Sequence, residues 1–245
     1  MTRLAQLPLD LGHRVALGRE DFLVAPGNAV AVAWIDRWPD WPGCALALHG
    51  PPGCGKTHLC RVWRALSGAV EVDGAALAAA EPRRALGEAR ACVVDGIQGR
   101  LAADPALQRR LLHLYNIVAE RGGHLLMTGR NPPARWSCAL ADLRSRLSAV
   151  TAVGLAAPDD ALIEALLVKL FADRQLRVGG DVIRYLLARM ERSFDAARRI
   201  VAAVDRASLA ERREITVPLA RAVLEGFQST DPKTEDEGGD PWILD

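Results

Sequence analysis

The sequence is short of net charge, of paired cysteines and of long apolar runs. Its 31 lysines and arginines face 30 aspartates and glutamates, a formal net charge of +1. That balance gives no global attraction to nucleic acid. The cysteines, Cys44, Cys54, Cys60, Cys92 and Cys138, are odd in number and form no CxxC pair. A disulfide framework and a zinc site are both disfavoured, and the thiols read as free and mostly buried. No stretch approaches the roughly 18 apolar residues of a membrane helix, and the N-terminus lacks a basic-then-apolar signal. The chain reads as cytoplasmic. There are no internal repeats.

What is present is the composition of a globular protein, 50% apolar and 25% charged over 245 residues. That length accommodates one large domain with a small appendage. Residues 1–20 read as a flexible tail. Apolar spacing at Ala29, Val32, Ala33 and Ile35 predicts a helix over Asn28–Trp38, stopped by Trp38-Pro39-Asp40-Trp41-Pro42-Gly43. Strands are predicted at Ala45–His49, Val70–Val72, Ala91–Asp95, His124–Thr128 and Ala149–Val153. Helices are predicted at Lys56–Leu66, Pro105–Arg121 and Ala139–Leu147, the second with Leu107, Leu111, Leu114, Tyr115 and Val118 on one face. Apolar strands alternating with helices imply an α/β fold, a parallel sheet covered on both sides.

Beyond Pro158 the pattern turns wholly helical. Stripes run through Ile163–Leu170, Val182–Met190 and Phe194–Val204, and Thr216 caps a last helix with Pro218 in its first turn. The expected organisation is a tail at 1–20, an α/β domain at 21–155, a helical lid at 156–227 and an acidic tail at 228–245. That last tail sets six acids against Lys233, a charge of about −5, so disorder is expected there.

Gly50-Pro51-Pro52-Gly53-Cys54-Gly55-Lys56-Thr57 matches G-x-x-x-x-G-K-[ST] in full. It follows an apolar strand and opens a helix, the context a P-loop requires. The glycines let backbone N–H groups turn inward around phosphate. The helix terminus, which also carries His58, adds roughly half a positive charge. Lys56 is positioned to neutralise β- and γ-phosphates and Thr57 to ligate magnesium. Ala91-Cys92-Val93-Val94-Asp95 reads as a second buried strand ending in a carboxylate that orients magnesium through water. Many such ATPases place Asp or Glu directly after that acid to polarise the attacking water; here the position is Gly96. General-base help worth roughly 10²–10⁴ in rate is then missing, and self-hydrolysis is expected to be slow.

The fragments PGNAVAVAWIDRWP, HGPPGCGKTHL, VVDGIQ, LLHLYNIVAERGGHLLMTGRNPP and DLRSRL, in that order, resemble the AAA+ core of the bacterial replication initiator DnaA over roughly residues 20–227. Two features make the chain more similar to the Hda proteins, the DnaA-related regulators, in their alphaproteobacterial form. The sequence ends at Asp245, soon after the lid. Gln6-Leu7-Pro8-Leu9-Asp10-Leu11 resembles a clamp-binding hexapeptide. The implied fold is an AAA+ P-loop NTPase with a five-stranded parallel sheet and a helical lid. The implied ligands are ADP or ATP with Mg²⁺.

The resemblance also implies residue roles. Lys56 and Thr57 match the Walker A pair and Asp95 the Walker B acid. Thr128 falls where sensor 1 is expected, with Asn131 a second candidate. Arg146 matches the arginine finger, and Arg198, or Arg199 one residue on, lies near sensor 2. The implied partners are the sliding clamp of DNA polymerase III, through Gln6–Leu11, and the initiator DnaA, whose ATP Arg146 would address in trans. Assembly with copies of itself is compatible with the family. Direct DNA binding is disfavoured, since residues 156–227 carry about twelve basic and eleven acidic side chains. Two other functions stay open on the residues alone: an autonomous ATPase such as a helicase loader, and a nucleotide-sensing scaffold without catalytic contribution.

Overall fold

The computed structural model describes residues 23–79 and 81–228. The chain divides into two compact units, the first ending at Pro158 and the second beginning at Asp159. In the first, α1 (Ala29–Asp36) leads to β1 (Ala45–His49), α2 (Lys56–Ser67), β2 (Val70–Glu71), and the short helices α3 (Gly74–Ala79) and α4 (Pro82–Leu86). Then come β3 (Ala91–Val94), α5 (Gln98–Leu101), α6 (Pro105–Glu120), β4 (His124–Gly129), a 3-10 turn at Pro133–Arg135, α7 (Ala141–Ala149) and β5 (Thr151–Gly154).

The five strands pair in the order β2-β3-β4-β1-β5, every pair parallel. A parallel sheet is covered on both faces, so its central strands must be apolar on both sides. Successive residues feed opposite cores. Ala45, Ala47, Cys92, Val94, Leu125 and Met127 pack on Leu107, Leu111 and Leu114 of α6 and on Leu143 and Leu147 of α7. Leu46, Leu48, Val93 and Leu126 pack on Ile35 of α1 and on Leu59 and Trp63 of α2. The loops that follow β1, β3 and β4 leave the same end of the sheet, where α/β proteins place their ligands.

Several boundaries differ from the sequence expectation. β5 covers Thr151–Gly154 rather than Ala149–Val153, because α7 runs on to Ala149 and Val150 links the two in extended geometry. β2 stops at Glu71 and β3 at Val94, which puts Asp95 just beyond the strand. β4 continues one residue further, to Gly129. α3, α4 and α5 are each one or two turns long, too brief for a periodic signature.

The second unit consists of α8 (Asp160–Asp173), α9 (Gly180–Leu187), α10 (Phe194–Glu211) and α11 (Val217–Gln228). Asp159 caps α8 by accepting the Leu162 N–H at 2.8 Å, and Ser193 caps α10 by accepting that of Ala196 at 3.1 Å. The predicted stripes are the buried faces: Ile163, Leu166 and Leu167; Val182, Ile183 and Leu186; Ala197, Val201 and Val204. Among the described residues, no helix is long and apolar enough to cross a membrane.

Candidate functional site

The loop Gly50–Gly55 joins the end of β1, which lies between β4 and β5, to α2. Gly50 admits no side chain: its φ is +155°, and a Cβ there would lie 2.3 Å from the Leu155 carbonyl oxygen. The loop is thereby pressed against the chain leaving β5. Gly55 ends the loop as the N-cap of α2 and offers no side-chain acceptor to that helix's first N–H groups. Those donors and the helix dipole are what a phosphate requires.

The ammonium of Lys56 turns back over this cradle. It donates to the carbonyl oxygens of Gly50 at 2.9 Å and Pro51 at 2.7 Å, and sits 3.5 Å from Cys54 Sγ. Among the described residues, the hydrogen-bond acceptors around Lys56 are neutral, at the point where a P-loop holds β- and γ-phosphates. Cys54 is buried beneath the loop. Pro51 and Pro52 are exposed on its crest, and Gly53 and His58 are half-buried beside it.

Asp95, just past β3, gathers the remaining polar groups. The Thr57 hydroxyl donates to its Oδ2 at 2.8 Å, and the Thr128 hydroxyl donates to Oδ1. Thr128 Oγ1 in turn accepts the Gly96 N–H at 2.9 Å. Thr128 is only 1% exposed, a buried hydroxyl used as both donor and acceptor. The first turn of α2 through Thr57, the end of β3 through Asp95 and β4 through Thr128 therefore meet at one carboxylate.

These residues fit a magnesium nucleotide. Among the described residues no cluster of three or more His, Cys, Asp or Glu forms a metal cage. A hydroxyl and a carboxylate beside a phosphate cradle are what Mg²⁺ uses when phosphate oxygens and water complete its shell.

Two neighbours tune the charge here. Burial, then the charges of Arg135 and Lys56, hold His49 below its ordinary value of 6.5, which favours the neutral imidazole. Burial first, and then the charges of Asp95 and Glu71, push the Cys60 thiol well up, so it stays protonated. Gly96, where a second acid stands in many ATPases, has φ +66° with nothing within 4 Å of a built Cβ. The position is spacious and its backbone is left-handed, so glycine is selected by conformation rather than by crowding.

Asn131, the other sensor 1 candidate, lies outside the Asp95 network. Its N–H and that of Arg130 donate to Gln98 Oε1 at 3.1 and 2.7 Å. Gln98 ties the start of α5 to the loop after β4, a role that its place in the VVDGIQ fragment did not disclose.

Arg146 occupies the last turn of α7, exposed, and its guanidinium carbon lies 5.4 Å from the centre of the Tyr115 ring. α7 feeds into the start of β5, whereas the P-loop leaves β1 beside the end of β5, where His49 pairs with Gly154. Arg146 and the phosphate cradle thus belong to opposite ends of the sheet.

In the lid, Arg198 and Arg199 lie in the second turn of α10. Arg199 Nε is 3.2 Å from Asp195 Oδ2, and Arg199 lines a groove of about 570 Å³ with Met190, Ile200, Val223 and Phe227. Arg198 is half-buried on the adjacent face. The hexapeptide Gln6–Leu11 and the segment Trp242-Ile243-Leu244 lie outside the described residues.

Residues 159–224 match the family model of the Hda lid domain. Similar architecture occurs in domain III of the replication initiation protein DnaA of Thermotoga maritima, with TM-score 0.75 and 17% identity over 85% of this chain and 95% of that one. AMPPCP-bound DnaA from Aquifex aeolicus aligns at TM-score 0.66 and 14% identity, over 85% of this chain and 68% of that one. The FIGL-1 AAA domain in complex with ADP aligns at TM-score 0.62 and 15% identity, over 90% of this chain and 87% of that one. At these identities the solved structures establish the fold, and the lid match narrows the relationship. The chain thus carries, at residues 159–224, a segment similar to the Hda lid domain, on a fold similar to that of DnaA domain III.

Proposed function

We propose that this chain is a cytoplasmic regulator of replication initiation that binds an adenine nucleotide and promotes hydrolysis of ATP held by the initiator DnaA. The observation that carries the reading is the setting of Arg146. Its guanidinium is exposed and, among the described residues, has no carboxylate within 4 Å. It also belongs to the end of the sheet away from its own P-loop. An arginine so placed serves a phosphate brought by another subunit, where it is worth about 10³–10⁵ in rate.

The chain's own residues divide the remaining work. Lys56, the Gly50–Gly55 loop and the start of α2 hold the chain's own ADP or ATP. Thr57, and Asp95 through water, would hold Mg²⁺, which would supply charge neutralisation of the phosphates. Thr128 holds Asp95 in place and reports its position to β4. Gly96 contributes no base, so the bound nucleotide acts as a conformational ligand that biases the lid rather than as fuel for rapid turnover. Gln6-Leu7-Pro8-Leu9-Asp10-Leu11 attaches the protein to the sliding clamp, with Leu7, Leu9 and Leu11 as apolar anchors. Two copies on one ring gain from effective concentration. The outcome is removal of ATP-bound initiator and restraint of repeated initiation.

The test is phosphate release from ATP-bound initiator mixed with the protein and clamp-loaded DNA. Release should rise with the protein present and lose that rise when residues 1–11 are deleted. Equal release with and without the protein would refute the reading. Strong turnover by the protein alone, stimulated by single-stranded DNA, would favour an autonomous helicase-loader-like ATPase instead.

A further inference from the structure

We infer that Tyr115 is a positioning residue for Arg146, a ring on which the guanidinium is presented, in a seat whose register is set by Gln108. This inference rests on the trans role of Arg146 proposed above.

α6 is an amphipathic helix whose Leu107, Leu111, Leu114 and Val118 enter the core. Gln108 lies among them and is only 2% exposed. A buried amide must find partners for both ends, and Gln108 does. Its Nε2 donates to the Leu101 carbonyl at 2.8 Å. Its Oε1 accepts the N–H groups of Ala139 at 3.1 Å and Leu140 at 3.0 Å, with the Cys138 thiol 3.5 Å away. Ala139 and Leu140 are the residues that lead into α7, and Leu140, its N-cap, makes no side-chain capping bond of its own. Gln108 therefore fixes where α7 begins relative to α6.

Tyr115 follows Gln108 by seven residues, two turns along the same face of α6. At about 1.5 Å per residue this step covers about 10 Å, close to the rise from Leu140 to Arg146 along α7. The second contact falls there, with the Arg146 guanidinium 5.4 Å from the ring centre, within cation–π range. Tyr115 is itself held. Burial, and then a hydrogen bond with the Cys44 side chain, push its hydroxyl up to about 12, so the phenol stays neutral. Leu143 and Leu147 clamp α7 on either side of Arg146 by packing into the core.

A guanidinium on a long stem loses rotamer freedom when it engages a phosphate. A ring that pre-orders it, and that is a weaker partner than phosphate, reduces that loss while leaving all its N–H donors free. The ring should thus raise the rate of the stimulated step without tightening the encounter of the two proteins.

The experiment measures hydrolysis of initiator-bound ATP against concentration of the full-length protein, for wild type, Tyr115→Phe, Tyr115→Leu and Arg146→Ala. The Arg146 Nε–H resonance is recorded in each protein that retains it. Tyr115→Phe should keep the wild-type maximal rate. Tyr115→Leu should lower it about fivefold, with half-saturating concentration within about twofold of wild type. The Arg146 Nε–H should shift downfield on loss of the ring, with that of Tyr115→Phe unchanged. A wild-type maximal rate in Tyr115→Leu, or a loss confined to half-saturation, would overturn the role while the trans reading stands. If Arg146→Ala itself stimulates normally, both fail together.

Discussion

The Thr57 hydroxyl donates to the Asp95 carboxylate at 2.8 Å, joining the first turn of α2 to the end of β3 across 38 residues of sequence. The same carboxylate accepts the Thr128 hydroxyl, so Thr57, Asp95 and Thr128 are already assembled at one point, where the proposed function places Mg²⁺. Asp95→Asn should leave nucleotide binding in EDTA unchanged and abolish the gain in affinity that Mg²⁺ confers. Calorimetry with ADP in the two media checks this.

Lys56 Nζ donates to the carbonyls of Gly50 and Pro51, and under the proposed function phosphate oxygens of the nucleotide would replace them. Lys56→Ala should cost about 1.5–3 kcal/mol of ADP affinity, the range of hydrogen bonds to charged groups. Titration with a fluorescent nucleotide measures it, and affinity within twofold of wild type would remove Lys56 from the site.

Gly96 sits at φ +66° in open space. Gly96→Ala should therefore fold with no clash but lose about 1–2 kcal/mol in denaturant unfolding, the strain of a left-handed backbone with a Cβ. The wild-type protein alone should turn over ATP slowly, lacking a carboxylate at this position.

Gln108 is different in kind. Gln108→Leu keeps the volume but strands the Ala139 and Leu140 N–H groups, which should cost about 2–4 kcal/mol. The denaturant midpoint should fall with the m-value unchanged.

His124, at the start of β4, lies edge-on to the rings of Trp38 and Trp41, with centroid separations of 6.0 and 5.5 Å. Burial holds it below its ordinary 6.5, against a backbone hydrogen bond involving Pro39. The unfolded chain then binds more protons than the folded one below pH 6.5, so stability is fully present above that pH and declines on acidification toward the folded value. Thermal unfolding from pH 7.5 to 5 should show this decline, and His124→Gln should make it shallower.

Much of this was legible in the residues, and the exceptions have physical causes. β1, β3 and β4 are buried on both faces and stand out as unbroken apolar runs between turn residues. The P-loop declared itself because phosphate binding needs glycines, a lysine and a helix start at fixed spacing. β5 was displaced because Ala149 and Val150 suit a helix end as readily as a strand, and only the packing of Leu147 decides. Gln108 carried no signal of its own on a helix whose apolar face was already accounted for by Leu107, Leu111 and Leu114. Its function depends on Ala139 and Leu140, some 30 residues away, and no local pattern encodes that. Gln98 escaped for the same reason.

The most direct test loads the initiator with ATP labelled on its γ-phosphate and loads this protein with unlabelled ADP, so that released label comes from the initiator alone. With clamp-loaded DNA present, label release should accelerate on adding the wild-type protein. With Arg146→Ala it should stay at the rate of initiator by itself, although ADP and clamp binding are intact. Equal acceleration by the two proteins would contradict a guanidinium acting across the interface.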